Sequence, residues 1–490
     1  MKYRIKFLLL LLTGIAAFFP TDAQKIEVSY DTAASREIFS GKVYLYLSKY
    51  EREPKNGAVG MQSFPCFSIT VKNIQPGQVV VFDDAANAYP VLLSDIERGV
   101  YNAQVVWDKN QGGRSIAETA GNMYNEPVKI NITKTREQVF GIKCSAVLKD
   151  IPFKETPNTK ELKIPSALLS LFYGRPVTID ASVRLPKDYY TQPARRFPVL
   201  YTVSGFGGNY RNFSGNTTNS RLIDTTQCIE VYLDGNCPLG HSVYANSENN
   251  GPWGDALVKE LIPVVEKQFR ANKARLLSGH SSGGWTVLWL QTQYPTTFTA
   301  CWSSSPDPVD FRNFSGSDLY KNENMFYNKD SSLKMVATIA GSIPWASAQQ
   351  AVAMENVIDR GEQLNSFNAV FSQRNKTGEP GRICNVVTGE VDRETFEHWK
   401  KYDISRYVRE NWGKLKPDLE GKIRISVGDH DNFLLNRPVR IFEKEAKEIN
   451  ANIIFAYYAG DHFTVGNANY RGDGYKFLQQ KYLEFAKNNK

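Results

Sequence analysis

Between residues 25 and 145, apolar and polar positions alternate in short runs, each closed by a turn signal. Residues 43–47, 67–71, 79–82, 103–107 and 128–132 are rich in β-branched and aromatic side chains. Gln75-Pro76-Gly77 and Gln111-Gly112-Gly113 punctuate them. Several runs repeat every second residue, which predicts strands with one face turned to a core. No convincing amphipathic helix interrupts the series. The expectation is a small immunoglobulin-like β-sandwich over residues 24–148. It is expected to act as a spacer or packing domain, with substrate recognition as the sharper alternative.

A polar stretch at residues 149–163, carrying Pro152 and Pro157, predicts a linker. Beyond it the pattern changes. Residues 177–185 alternate, whereas residues 197–203 are almost continuously apolar, as a strand covered on both faces requires. Residues 229–233 form another such run. Ala256, Leu257, Leu261, Val264, Val265 and Phe269 then recur at helical spacing. Strand and helix in alternation predict an α/β domain with a mostly parallel central sheet over residues 164–490.

Composition narrows the partners. The chain has 59 Lys and Arg against 51 Asp and Glu, a net charge of +8 that gathers in no basic block. Nucleic-acid binding is therefore not expected. Lys2, Arg4 and Lys6 precede a mostly apolar run at residues 7–19 and the small-residue site Thr21-Asp22-Ala23. That order predicts a cleaved signal peptide over residues 1–23 and a secreted or periplasmic protein. No other stretch approaches membrane length, so no integral membrane association is expected. The six cysteines lack the paired spacing of a zinc or redox motif and are expected as buried thiols. An oxidising compartment would permit disulfides, Cys228 and Cys237 being nearest in sequence. No metal-ligand cluster stands out, and no metal or cofactor is expected.

The strongest chemical signal is Gly-x-Ser-x-Gly, formed by Gly279, Ser281 and Gly283 between an apolar run and a helical stretch. In that context the motif is a nucleophile elbow. Its turn is too tight for side chains beside the serine, and the following amide, that of Ser282, can hold an oxyanion. The hydroxyl needs a base, and the chain has five histidines. His280 neighbours the serine but is expected to point elsewhere; His398 reads as a surface or packing residue. His462 follows the strand-like residues 453–457 near the C-terminus, where the order nucleophile, acid, histidine places the base. For the acid, Asp429 and Asp431 both follow residues 423–428, and Asp307 after residues 298–302 is an outside candidate. Asn250 and Trp253, in a polar loop ahead of a helix, are candidates for substrate binding, with turn chemistry and capping as the alternative.

Residues from about 160 onward resemble the putative esterase family, which includes S-formylglutathione hydrolases, feruloyl esterases and mycolyltransferases. The resemblance rests on residues 200–206 (Leu-Tyr-Thr-Val-Ser-Gly-Phe), 279–284 (Gly-His-Ser-Ser-Gly-Gly) and 431–435 (Asp-Asn-Phe-Leu-Leu). It implies an α/β-hydrolase fold and favours Asp431 as the acid, two residues before Phe433. It also maps an oxyanion donor onto the amide of Phe206 beside that of Ser282. Enterochelin esterases share the plan of a β domain ahead of a hydrolase. The long interval between Ser281 and Asp431 departs from compact members and implies a cap insertion at about residues 310–419. The expectation is a secreted serine esterase acting through an acyl-enzyme on a small-molecule or polysaccharide-linked ester, with feruloyl or acetyl esters of plant polysaccharide first. A siderophore esterase or a sugar acyltransferase is the alternative, and a non-catalytic binding protein is the reading from another class.

Overall fold

The computed structural model describes residues 24–56, 64–110, 114–133, 137–222 and 226–489. The expected signal peptide and the turn at residues 111–113 lie outside them. In the N-terminal part, Gln24–Tyr30 runs between Val80–Phe82 and Gln138–Cys144 in a three-stranded sheet. A seven-stranded sheet centres on Phe39–Ser48, Cys66–Ile74 and Gly99–Asp108. Both sheets contribute to one core, in which Trp107 meets Tyr30 and Phe39 edge-on at 5.0 and 5.1 Å.

The C-terminal part is built on an eight-stranded sheet. Its strands are β1 (Thr159–Pro165), β2 (Thr178–Arg184), β3 (Phe197–Val203), β4 (Ile229–Leu233), β5 (Ala271–His280), β6 (Ala300–Ser304), β7 (Ile423–Gly428) and β8 (Ile454–Tyr458). They stand in the order β1-β2-β4-β3-β5-β6-β7-β8. The β1–β2 and β2–β4 pairs are antiparallel, and all other neighbours are parallel. β3 is buried at every position except Thr202, which explains its unbroken apolar sequence. Residues 159–163 of the expected linker already belong to edge strand β1, where Leu162 turns inward and Lys163 faces solvent.

From β3 the chain passes to β4 on one side and then returns to β5 on the other. The loops after β3 and β5 therefore diverge, leaving a crevice at the carboxyl ends of two adjacent strands, where α/β folds place their ligands. The helix after β5, Ser282–Gln293, is buried from Ser282 to Thr292. Over it lies the inserted region, with the hairpin Met335–Ile339 and Ile343–Ser347 and the helices Ala348–Ile358, Gln363–Phe371 and Arg393–Trp399. Helix Ile404–Leu419 is capped by Asp403 and leads into β7, with Tyr407 packed on Trp289 at 6.2 Å. It is the crossover helix of the sheet, so the insertion ends near residue 403 rather than 419.

The sandwich is joined to the insertion at residues 357–361. Tyr44 donates to the Ile358 carbonyl at 2.7 Å and Ser68 to that of Val357 at 2.6 Å. Arg360 grips Asp108 through two bonds of 2.6 and 2.7 Å, both side chains being buried. Gly361 has a φ of +86°, and a Cβ there would stand 2.5 Å from the Arg114 carbonyl oxygen. Only glycine fits that seam.

Candidate active site

Ser281 sits between β5 and helix Ser282–Gln293 with φ 59° and ψ −123°, a conformation that non-glycine residues rarely adopt. The surroundings over-determine it. A Cβ on Gly279 would meet the Gly283 carbonyl oxygen at 2.2 Å, and one on Gly283 would meet that of Val203 at 2.2 Å. The Ser281 amide donates to the Ser304 carbonyl at 2.9 Å. Across the crevice, a Cβ on Gly205 would lie 3.3 Å from that of Ser281, so the loop carrying Phe206 passes directly beside the serine. Among the described residues, the amides of Phe206 and Ser282 have no backbone acceptor.

His462 lies on the loop after β8, buried, with its Nδ1 2.8 Å from Oδ2 of the buried Asp431. Two backbone groups fix that carboxylate, since Oδ1 accepts from the amides of Phe433 at 3.0 Å and Leu435 at 3.3 Å. Asn432 accepts from the His462 amide at 3.0 Å and donates to the Thr338 carbonyl at 2.9 Å, tying the histidine loop to the insertion. The Phe433 ring stands edge-on to the imidazole at 4.9 Å. Asp429 is turned away and pairs with Arg440 at 2.7 Å on the surface.

Asp307 is buried nearby but serves other partners. Its Oδ2 accepts from the Ser282 hydroxyl at 2.5 Å and from Gln363 at 2.8 Å. Burial pushes its carboxyl up to about 6, against the opposing pull of the Ser282 hydroxyl. Its effect is to fix Ser282, the residue that follows Ser281.

His280 departs from expectation. Its ring lies 4.5 Å from that of His462, because the loop after β8 folds over the end of β5. Its Nδ1 pairs with the Ser304 hydroxyl at 2.8 Å, which in turn meets the Tyr470 hydroxyl at 2.7 Å. Burial first, and then His462, push it down to about 4, leaving a neutral ring at ordinary pH. Two further histidines are engaged elsewhere: Nδ1 of His241 accepts from the Val243 amide at 3.0 Å, and His398 meets Glu248 at 2.8 Å.

Ser281, His462, His280, Phe206 and Asp307 border one chamber of about 770 Å³. Its walls are mostly apolar, with Phe314, Trp345, Phe367 and Phe433 among them. Tyr89 and Pro90 also line it, so the sandwich is part of the chamber and not a spacer alone. Asn250 and Trp253 are not among its lining residues. Trp253 is packed edge-on to Tyr244 at 5.9 Å in the core, and Asn250 is fully buried with its carbonyl bonded to Tyr173. Sequence reading missed His280, Gln363, Tyr89 and Pro90, none of which stands in a motif of its own. All six cysteines are buried free thiols. Among the described residues, no group of three or more His, Cys, Asp or Glu is placed to hold a metal ion, and no helix is long and apolar enough to cross a membrane.

The strand order, the elbow after β5 and the late acid and histidine loops define an α/β-hydrolase. The family model described as "Putative esterase" matches residues 175–466, and the chain belongs to that family of ester hydrolases. Among solved structures, it is similar to a ferulic acid esterase at 15% identity, over 67% of this chain and 100% of that one, with a TM-score of 0.39. It is also similar to the fluorophosphonate-binding serine hydrolase FphF of Staphylococcus aureus at 14% identity, over 66% and 99% of the two chains, with a TM-score of 0.41. An S-formylglutathione hydrolase from Agrobacterium tumefaciens is similar at 14% identity, over 68% and 98%, with a TM-score of 0.40. No curated protein matches the chain.

Proposed function

We propose that the protein is a serine carboxylic-ester hydrolase in which Ser281 is the nucleophile, His462 the general base and Asp431 the orienting acid. The observation that carries this reading is the buried His462–Asp431 pair at 2.8 Å, opening on the same chamber as a strained serine at a helix N-terminus. Asp431 accepts the Nδ1 proton of His462, which leaves Nε2 as the basic nitrogen. Ser281 Oγ attacks the ester carbonyl carbon while its proton passes to Nε2. The oxygen that gains charge is met by the amides of Phe206 and Ser282. Collapse breaks the bond to the alcohol, whose oxygen takes the proton back from His462, and an acyl-serine remains. Water repeats the sequence and frees the acid.

The aromatic walls favour an aryl or extended apolar acyl group over acetyl, and esters of plant polysaccharide are the substrates proposed first. The charged start and apolar run within residues 1–23 support action outside the cytoplasm. The test is hydrolysis of short-chain nitrophenyl esters, methyl ferulate and acetylated xylan by the purified protein and by Ser281→Ala. The variant is expected to lose roughly 10³-fold or more in turnover while staying folded. Retention of most turnover by Ser281→Ala would remove the assignment.

A further inference from the structure

Glu362 stands where the chamber meets the sandwich. It opens helix Gln363–Phe371 in the extended conformation of an N-cap, yet its side chain caps nothing. The first amides of that helix are taken by another carboxylate: Glu355 accepts from Leu364 at 3.0 Å and Asn365 at 2.7 Å. Among the described residues, the Glu362 carboxyl has neither a hydrogen bond nor an ion pair, and it lines the chamber.

Its position follows from its neighbours. A Cβ on the preceding Gly361 would stand 2.5 Å from the carbonyl oxygen of the sandwich residue Arg114, and Cys66 of the sandwich is paired across the sheet with the chamber residue Tyr89. The Arg114 guanidinium stacks 4.5 Å over the Phe206 ring and donates to the Gly361 carbonyl at 3.2 Å. Glu362 therefore lies on the side of the chamber closed by the sandwich. Burial, and then the nearby Glu355, push its carboxyl up to about 8. Near neutral pH it is mostly a neutral acid, able both to donate and to accept. A chamber-lining carboxyl that serves neither a cap nor an ion pair is left to pair with whatever polar group the chamber receives. A hydroxyl matches both capacities. An ammonium matches them less well, because Arg114 already places positive charge beside the site.

We propose that Glu362 is a specificity-determining residue that hydrogen-bonds a hydroxyl on the far end of the substrate's acyl group, at the wall that Tyr89 and Pro90 complete. The inference rests on the ester-hydrolase reading. The insertion and the sandwich thus select the acyl group together, while the elbow supplies the chemistry. A site built to pair a substrate hydroxyl discriminates strongly against the analogue that lacks it, because the site's own polar group is then left unpaired.

The experiment compares kcat/KM for methyl 4-hydroxycinnamate and methyl cinnamate, which differ by one hydroxyl, in the full-length enzyme and in Glu362→Ala and Glu362→Gln, each checked by circular dichroism. The native enzyme is expected to prefer the hydroxylated ester by roughly tenfold or more. Glu362→Ala should bring the ratio to within about twofold, chiefly through a lower kcat/KM for the hydroxylated ester. Glu362→Gln, which also donates and accepts, should restore part of the preference. An unchanged ratio in Glu362→Ala, or an equal loss on both esters, overturns the proposal. Hydrolysis of nitrophenyl acetate without either cinnamate also overturns it but leaves the esterase reading standing. Failure on every ester, with no labelling of Ser281, would instead overturn the esterase reading.

Discussion

Three aspartates end strands near the crevice, and their surroundings separate their roles. Asp431 is buried against His462, Asp429 is paired with Arg440 at the surface, and Asp307 holds Ser282. Asp431→Asn favours the wrong imidazole tautomer and is expected to lower kcat by 10²-fold to roughly 10⁴-fold. Asp429→Asn should stay within about threefold, since it removes one exposed ion pair. Asp307→Asn should fall between them, at about tenfold, because it loosens a residue beside the oxyanion without touching the base. Steady-state kinetics on the three variants test the ranking, and a larger loss in Asp429→Asn than in Asp431→Asn would reverse the assignment. The glycine spacing at residues 279–283 was readable because a tight turn admits so few residues. The choice among the aspartates was not readable from spacing, since side-chain direction in a loop depends on its partners. The resemblance supplied Asp431. No local pattern marks His280, whose placement is decided by a loop almost two hundred positions away.

At the scale of elements, strands and helices with a full period were legible, and their joints were not. β3, β4, β7 and β8 follow from apolar runs, and the sandwich strands from their alternation. Helix Ile404–Leu419 repeats its buried positions at Ile404, Val408, Trp412, Leu415 and Leu419, yet its long insertion disguised it as part of a cap. The seam between sandwich and insertion was hidden, because a buried ion pair between residues 252 positions apart leaves no local trace. That seam makes a sharp prediction. Asp108→Ala strips Arg360 of its carboxylate in a buried setting, where removing one partner typically costs about 3–5 kcal/mol. Chemical denaturation should show the loss, and a change below about 1 kcal/mol would mean that water reaches the pair.

For the whole molecule, buried acids set the response to pH. The carboxyls of Glu362 and Glu355 rise to about 8 and about 7 from an ordinary value of 4.5, burial being the main cause. The folded state thus keeps protons that the unfolded chain releases, and stability falls as pH climbs from about 4.5 to about 8. His241 and His280, pushed down to about 4 by burial, act oppositely, but only below their ordinary 6.5. Between pH 6.5 and 8.5 the acids are unopposed by these histidines. Thermal unfolding should drop by roughly 3 °C or more across that interval, and Glu362→Gln should flatten the decline. A flat native profile would show that water solvates these carboxyls.

An acyl-enzyme on Ser281 can be sought by intact-protein mass spectrometry. After exposure to a fluorophosphonate, one adduct is expected, mapped by peptide sequencing to Ser281. The adduct should be absent from Ser281→Ala and form at least about 10²-fold more slowly in His462→Gln. An adduct on another residue would exclude Ser281 as the nucleophile, and labelling as fast without His462 as with it would exclude His462 as the base.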